Sequence, residues 1–299
     1  MSKAKTKFVS ILTAAVIAVT SVPVFAMTAD TGILMLVNEN HRIDRDYKPE
    51  TIGVNGTSYQ MIDEAAASLE RMLKDMKKEL GAAPMIVSTY RSYEHQERVF
   101  GRDVTMFKGQ GMTEEEAIEK AKLYIALPGA SEHQTALAVD LSNDGTLEEN
   151  FIDSEAGLWI KENCHKYGYV VRYPKEKVEI TKINYEPWHL RYLGQPYSDL
   201  MFQNDWCLEE FIENMKTEGS MVWDDGNNIW TMYFVKNPIQ AFDSNTTVLN
   251  TNSGGYIVTT RKAKDMLITV HKGNEKLNTQ RKNSLLNRLN NGINNKNQG

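Results

Sequence analysis

Cysteine is scarce in this sequence: only Cys164 and Cys207 occur among its 299 residues. Their separation excludes the C-x-x-C spacing of many thiolate metal sites and redox motifs. Both lie in segments that we predict to be helical, where a small buried apolar role is favoured. A disulfide between them stays open, because two cysteines alone do not establish a pairing.

The sequence also lacks a strong excess of charge of either sign. Its net charge is −5, and 41% of its residues are hydrophobic. This balance gives no polybasic argument for binding to nucleic acid, and it does not favour adhesion to an anionic wall by charge alone. The chain is long enough to bury a core and to hold one main domain with a smaller appendage.

A long apolar run occurs only once, near the N-terminus. Three lysines precede an uncharged run at residues 8–26, which ends in Val24-Phe25-Ala26. This order is typical of a secretory signal, so we expect residues 1–26 to be a signal peptide and the protein to be extracellular or wall-associated. The run is about 19 residues long, near the length that crosses a bilayer, so an uncleaved anchor is the alternative. We expect no other membrane contact.

Helical and strand patterns alternate between residues 57 and 218, which predicts an α+β domain. Apolar residues recur at three- and four-residue spacing from Ile62 to Leu80, and Gly81 follows, as in an amphipathic helix. Short β-branched or alternating runs predict a small antiparallel sheet flanked by helices. The predicted strands are 84–89, 137–141, 169–173 and 183–192, and further helices are predicted at 155–167 and 196–217.

The segments on either side of this domain differ from it in hydrophobic periodicity and composition. Residues 27–56 carry few periodic signals and are treated as a leader segment. Residues 219–271 contain alternating aromatic runs and Asp225-Gly226, which predict a small β-rich appendage with a hairpin. A packing role for it is favoured over glycan or protein binding. Residues 272–299 are rich in Asn and Lys, so we expect disorder or a frayed helix there.

Two short segments contain the residue types of a catalytic zinc site. His133 and Asp140 lie in Ser131-Glu132-His133-Gln134-Thr135-Ala136-Leu137-Ala138-Val139-Asp140, and His189 closes Glu186-Pro187-Trp188-His189. Two imidazoles and one carboxylate can hold zinc while leaving a fourth position for water. Glu186 is then left over for proton transfer. The sequence therefore predicts a zinc hydrolase.

These segments resemble the zinc D,D-carboxypeptidases of the VanY type. That family carries Ser-x-His-x-x-Gly-x-Ala-x-Asp, then Glu-Pro-Trp-His, with an upstream Tyr-Arg-Ser that Tyr90-Arg91-Ser92 matches here. The resemblance covers roughly residues 50 to 197. It departs from the family at one motif position, where Ala136 replaces the glycine.

The resemblance implies removal of a C-terminal D-alanine from peptidoglycan stem peptides. It implies that Arg91 grips the terminal carboxylate of the substrate, with Ser131 and Gln96 lining the same pocket. The zinc-bound water would be the nucleophile, and Glu186 would act as its general base. An L,D-carboxypeptidase and a D-Ala-D-Ala dipeptidase remain alternatives within the class.

Ala136 raises an alternative from another class. If the family glycine has a positive φ, a Cβ there would cost on the order of 1 kcal/mol or more. A zinc-binding wall or sensor protein with weakened or absent turnover would then result. Because the three ligands and Glu186 all remain, we expect an active enzyme.

Three local expectations concern the surroundings of the ligands. Pro187 argues against regular structure between Glu186 and His189, so we expect an irregular turn there. Glu132 is expected to face solvent. Arg191 is expected to be a charge that supports the ligands.

Overall fold

The computed structural model describes residues 32–237 and 244–264. The expected signal segment, the β-run at 266–271 and the polar tail lie outside these residues. Within the described ranges, none of the helices combines the length and the apolar character needed to cross a membrane.

A four-stranded antiparallel sheet forms the centre of the main domain, in the order β3-β4-β6-β5. This confirms the predicted α+β class. A two-stranded ribbon, β1 and β2, precedes the sheet. The strands are β1 Ile52–Gly53, β2 Gln60–Met61, β3 Met85–Ser88, β4 Ala138–Ser142, β5 Tyr169–Tyr173 and β6 Glu186–Tyr192.

Seven α-helices lie in the described part of the chain, and their ends follow the local sequence. The first helix ends at Gly81, whose φ of 81° is readily adopted only by glycine. Thr113 and Glu116 form a capping box at the start of the third helix. The helices are α1 Asp63–Leu80, α2 Tyr93–Gly109, α3 Glu114–Lys122, α4 Glu155–Asn163, α5 Val178–Thr181, α6 Tyr197–Asn204 and α7 Leu208–Glu218.

The segment predicted as one helix at residues 196–217 is two helices. Asp205 ends α6 with φ 57° and ψ 44°, a left-handed conformation that Asp tolerates better than most residues. Helical spacing continues on both sides of this break, which is why the sequence pattern does not show it. The short helix α5 is not among the helices predicted from the sequence.

The C-terminal appendage is a second antiparallel sheet, in the order β7-β8-β10-β9. The predicted hairpin is present between β7 and β8, and Asp225 accepts hydrogen bonds from the backbone N–H groups of Asn227 and Asn228. Met221, Met232 and Ile257 belong to the same buried cluster as the main domain. The strands are β7 Ser220–Asp224, β8 Asn228–Val235, β9 Thr246–Asn250 and β10 Tyr256–Ala263.

The described part of the leader packs between these two units. Ile33, Leu34 and Leu36 are buried in the common core. The backbone N–H of Leu36 donates at 2.9 Å to the carbonyl oxygen of Thr251, which directly follows β9 of the second sheet. The leader is therefore a structural part of the molecule, which its weak sequence periodicity does not indicate.

Both cysteines are free and buried. Burial raises the pKa of the Cys164 thiol and of the Cys207 thiol to about 12. Their favoured role as small buried side chains agrees with this environment, and the disulfide left open by the sequence is absent between them.

Candidate active site

Three side chains from separate segments meet at one end of the central sheet. His133 lies in a 3-10 turn at Glu132–Thr135, Asp140 is in β4, and His189 is paired directly with Asp140 across the ladder. His133 Nε2 is 3.1 Å from Asp140 Oδ2, and His189 Nδ1 is 3.0 Å from Asp140 Oδ1. One ligand atom from each residue lies within 4.8 Å of the others, and all three residues are buried. The predicted ligand set is thus assembled in space.

The hydrogen bonds of the two imidazoles indicate which nitrogens can bind a cation. His133 Nδ1 is 2.7 Å from the carbonyl oxygen of Thr89, so it donates there and leaves the Nε2 lone pair free. His133 Nε2 is buried without a hydrogen-bond partner. Such an atom is costly unless something binds it. Two imidazoles and one carboxylate are the donors that a catalytic zinc site uses, so these residues fit zinc.

Ala136 completes the turn that carries His133. It has φ 58° and ψ 23°, and its N–H donates to the carbonyl oxygen of His133 at 3.3 Å. The alanine therefore keeps a left-handed conformation that glycine would adopt without a steric penalty. This conformation bends the chain between His133 and the strand that bears Asp140.

Glu186 and His189 lie on one continuous strand, so the predicted irregular turn is wrong. The irregularity is a bulge: β5 advances two residues from Val171 to Tyr173 while β6 spans four, from Leu190 to Glu186. Residues three apart in a regular strand point to opposite faces, and a bulge removes that constraint. Glu186 Oε2 consequently lies 3.8 Å from His189 Nδ1.

Burial gives the site carboxylates and imidazoles very different proton affinities. Burial raises the pKa of Glu186 to about 8, and nearby Asp140 adds to this, although His189 and Arg91 oppose it. Burial lowers the pKa of His133 to about 4, with Arg91 as a second cause. For His189, hydrogen bonds to Asp140 and Glu132 outweigh burial and raise the pKa to about 9. Such contrasts are typical of functional sites.

Arg91 is held in a fixed orientation beside the ligands. Its Nη1 donates to Gln96 Oε1 at 3.0 Å, its Nε donates to Ser88 Oγ at 3.1 Å, and its Nη2 is 3.4 Å from Asp140 Oδ2. Gln96 is completely buried and donates in turn to the carbonyl oxygen of Ala126. The guanidinium is 13% exposed, so it can still meet a ligand.

A cavity of about 380 Å³ opens over these groups. Its wall includes both imidazoles, both site carboxylates and the guanidinium of Arg91, so a substrate in it would contact all of them. The structure brings every sequence-predicted site residue to this cavity, namely Arg91, Gln96, Ser131, His133, Asp140, Glu186 and His189. Aromatic side chains of Tyr124, Tyr173, Tyr185 and Trp188 complete the wall.

The environment of Glu132 differs from the one that the sequence predicts. It was expected to face solvent, but it is 1% exposed. Arg172 Nε and Arg191 Nη1 donate to its Oε1 at 2.7 and 2.8 Å. Burial alone would raise the pKa of Glu132, but the two guanidinium groups hold it well below its usual range. Arg191, which was expected to be a charge that supports the ligands, is an ion-pair partner of this buried carboxylate.

The sequence contains an indication of these ion pairs of Glu132 with Arg172 and Arg191, which we call the Glu132 network. Arg172 and Arg191 each interrupt an otherwise apolar or aromatic strand, at Tyr169–Tyr173 and Glu186–Tyr192. A charge inside a strand that is buried on both faces requires a buried partner of opposite charge. The sequence does not reveal which acid that partner is.

Comparisons with known proteins agree with this geometry. A family model for D-alanyl-D-alanine carboxypeptidase, VanY, matches residues 58–195. The protein YodJ of Bacillus subtilis (strain 168) is 39% identical over 197 residues, which cover 62% of this chain and 68% of that protein.

Two solved structures are similar in sequence and in fold. The first is the LdcB LD-carboxypeptidase, whose structure reveals the molecular basis of peptidoglycan recognition. It is 37% identical to this chain with a TM-score of 0.55, and the similarity covers 61% of this chain and 86% of LdcB. A mutant of the vancomycin-resistance D,D-pentapeptidase VanY in complex with Zn(II) is 31% identical with a TM-score of 0.54, over 61% of this chain and 99% of that one.

Proposed function

Because the chain belongs to the VanY family of D-alanyl-D-alanine carboxypeptidases, and is therefore a zinc metallocarboxypeptidase, we propose that it removes the C-terminal D-alanine from peptidoglycan stem peptides. The observation that carries this proposal is the convergence of three zinc-type donors with a free glutamate and a guanidinium in one cavity. A site that only stored a metal would need neither the glutamate nor the guanidinium.

His133, Asp140 and His189 would hold the zinc ion, which when bound acidifies a water molecule and polarises a carbonyl group. Glu186 lies beside the ligands without an arginine hydrogen bonded to it. Its high proton affinity suits a group that takes a proton from the attacking water and delivers it to the departing amine. We assign it the role of general base and acid.

Arg91 would select substrates with a free C-terminus. Its planar fork suits a carboxylate, which it can bind through two parallel hydrogen bonds. Gln96 and Ser88 fix the guanidinium, so little conformational freedom would be lost on binding. Ser131 lines the same cavity and would donate its hydroxyl hydrogen to the substrate carboxylate. A carboxylate held one residue from the scissile bond makes the enzyme a carboxypeptidase.

Two other activities are tested by the same experiment. Cleavage of an L,D bond in tetrapeptide stems is favoured by the similarity to LdcB. A zinc-binding protein without turnover was suggested by Ala136, but the turn keeps its left-handed geometry with alanine in place, which supports an active site. We further propose that the protein acts outside the membrane, where its substrate lies and where the predicted signal would deliver it.

The test is mass analysis of purified stem peptides after incubation with the protein, with and without a zinc chelator. Pentapeptide should lose one alanine, and the chelator should prevent this. Glu186→Gln should keep zinc and lose at least about 100-fold in turnover, the lower range for a general base.

The control variant Glu179→Gln changes a 96% exposed glutamate on α5 and should behave like the wild type. Wild-type turnover in Glu186→Gln would contradict the assigned base. Release of alanine from tetrapeptide alone would change the assignment to an L,D-carboxypeptidase.

A further inference from the structure

We propose that Glu132 is a positioning residue that fixes the ring of His189 for zinc binding, and that the leader segment holds Glu132 in place through Arg191. The inference rests on the proposed role of His189 as a zinc ligand. It adds to the site a segment that lies before the region matched by the family model, which begins at residue 58.

The two oxygens of Glu132 have different surroundings. Both arginines donate to Oε1, whereas neither donates to Oε2, which is also buried. His189 Nε2 is likewise buried, and it lies 3.5 Å from Glu132 Oε2. Because neither of these two atoms has another hydrogen-bond partner, they form a long donor and acceptor pair with each other.

This pairing determines which nitrogen of His189 is available to the metal. An imidazole that donates its Nε2 hydrogen to a carboxylate has only Nδ1 left for a metal ion, which would displace any proton bound there. Nδ1 is the nitrogen that faces Asp140 at 3.0 Å. A carboxylate behind a ligating histidine also fixes the ring and raises its basicity. Glu132 is therefore placed to select the competent tautomer.

Arg191 connects Glu132 to the leader. Its side chain is completely buried, and its Nη1 donates to Glu132 Oε1. Its Nη2 points to the carbonyl oxygens of Gly32, Ile33 and Met35, at 3.3, 3.0 and 2.9 Å. Backbone carbonyls of the leader thus accept the hydrogen bonds of Arg191 Nη2 and orient its guanidinium.

Arg172 joins Glu132 to a second glutamate, Glu209, to which we assign a purely structural role. Its Nη1 and Nη2 donate to the two carboxylate oxygens of Glu209 on α7, at 2.9 and 2.7 Å. Among the residues that the structure describes, Glu209 forms no hydrogen bond or ion pair with His133 or His189, and its side chain is 14% exposed. Two arginines and two glutamates balance in charge, so the loss of either glutamate should destabilise the fold. Only Glu132 should alter zinc binding.

The experiment compares zinc affinity among full-length variants by competition with a chromophoric chelator, with the absorption spectrum of the cobalt-substituted protein as a second readout. Glu132→Gln places an amide against His189 and should weaken zinc binding by about 10- to 100-fold, the usual range for such partners. Glu132→Asp keeps the charge but withdraws the oxygen from His189, and it should show the same loss. Arg191→Lys should weaken zinc binding in the same direction.

Glu209→Gln is the matched control, because it breaks the same network at the end that does not face His189. It should lower the melting temperature of the metal-free protein and leave zinc affinity within about threefold, an effect below 1 kcal/mol. His189→Ala tests the underlying ligand assignment and should weaken zinc binding more than any of the other changes.

The outcomes distinguish the positioning role of Glu132 from the zinc-ligand role of His189. Wild-type zinc affinity and an unchanged cobalt spectrum in folded Glu132→Gln or Glu132→Asp would overturn the positioning role. Equal loss of affinity in Glu209→Gln would reduce Glu132 to a structural residue, which also overturns it. Should Glu132→Gln fail to fold, Glu132→Asp decides. Unchanged affinity in His189→Ala would instead refute the ligand assignment and with it the proposed function.

Discussion

Replacement of Ala136 by glycine should change stability much less than the same replacement elsewhere in the buried core. Ala136 is completely buried and has φ 58°. A left-handed conformation brings the Cβ of an L-residue close to the following carbonyl oxygen, at a cost of roughly 1–2 kcal/mol. Glycine has no Cβ, so Ala136→Gly would relieve this strain.

Two opposing effects reduce the gain. Glycine loses more backbone freedom on folding than alanine, at roughly 0.5–1 kcal/mol. Removing a buried methyl group forfeits about 0.8 kcal/mol of transfer free energy. The relief of 1–2 kcal/mol and these losses nearly cancel, so the free energy of unfolding should stay within about 1 kcal/mol of the wild type.

Ala117→Gly supplies the matched control. Ala117 is also completely buried, but it lies in α3 with ordinary helical geometry. Only the two losses act there, so Ala117→Gly should cost about 1.5 kcal/mol. Urea denaturation of both variants at one saturating zinc concentration would measure the difference, since zinc bound to the native state adds equally to each. Equal destabilisation of Ala136→Gly and Ala117→Gly would refute strain at Ala136.

Two further predictions address the substrate pocket and the cysteines. Arg91→Ala should raise KM for peptides with a free C-terminus by at least about tenfold, because it removes a charged hydrogen-bond partner; unchanged discrimination against amidated peptides would count against its role. Cys164 and Cys207 should resist a thiol reagent at pH 8 in the native protein, since burial raises both pKa values to about 12, and should react fully after denaturation. Fast labelling of the native protein would show that these thiols are accessible.

The parts of the site that the sequence predicts are those in which chemistry and local pattern coincide. Asp140 and His189 are metal-ligand types inside strand-like runs, which antiparallel pairing brings side by side, and His133 lies shortly before the first of these runs. Arg91 follows β3 in the same way. The long amphipathic helix α1 and the capping box at Thr113 are local features, so they too can be read without knowledge of the fold.

The parts that the sequence does not predict depend on tertiary contacts. Glu132 next to a histidine resembles a solvated surface charge, and its burial becomes evident only once Arg172 and Arg191 are known to surround it. Pro187 suggests a break in a strand, yet the mismatch in length between β5 and β6 is absorbed by a bulge. Pairing register between strands distant in sequence determines both features.

Buried contacts cross the predicted domain boundary near residue 219. Gly219 ends α7 with φ 71°, and the second sheet begins with β7 at Ser220. Met221 and Met232 nevertheless belong to the same buried cluster as Leu208 and Phe211 of α7. The leader in turn donates from Leu36 to Thr251 in the second unit and accepts from Arg191 in the first. Because these contacts are buried, we expect that residues 58–195 would not fold as an independent unit in this protein.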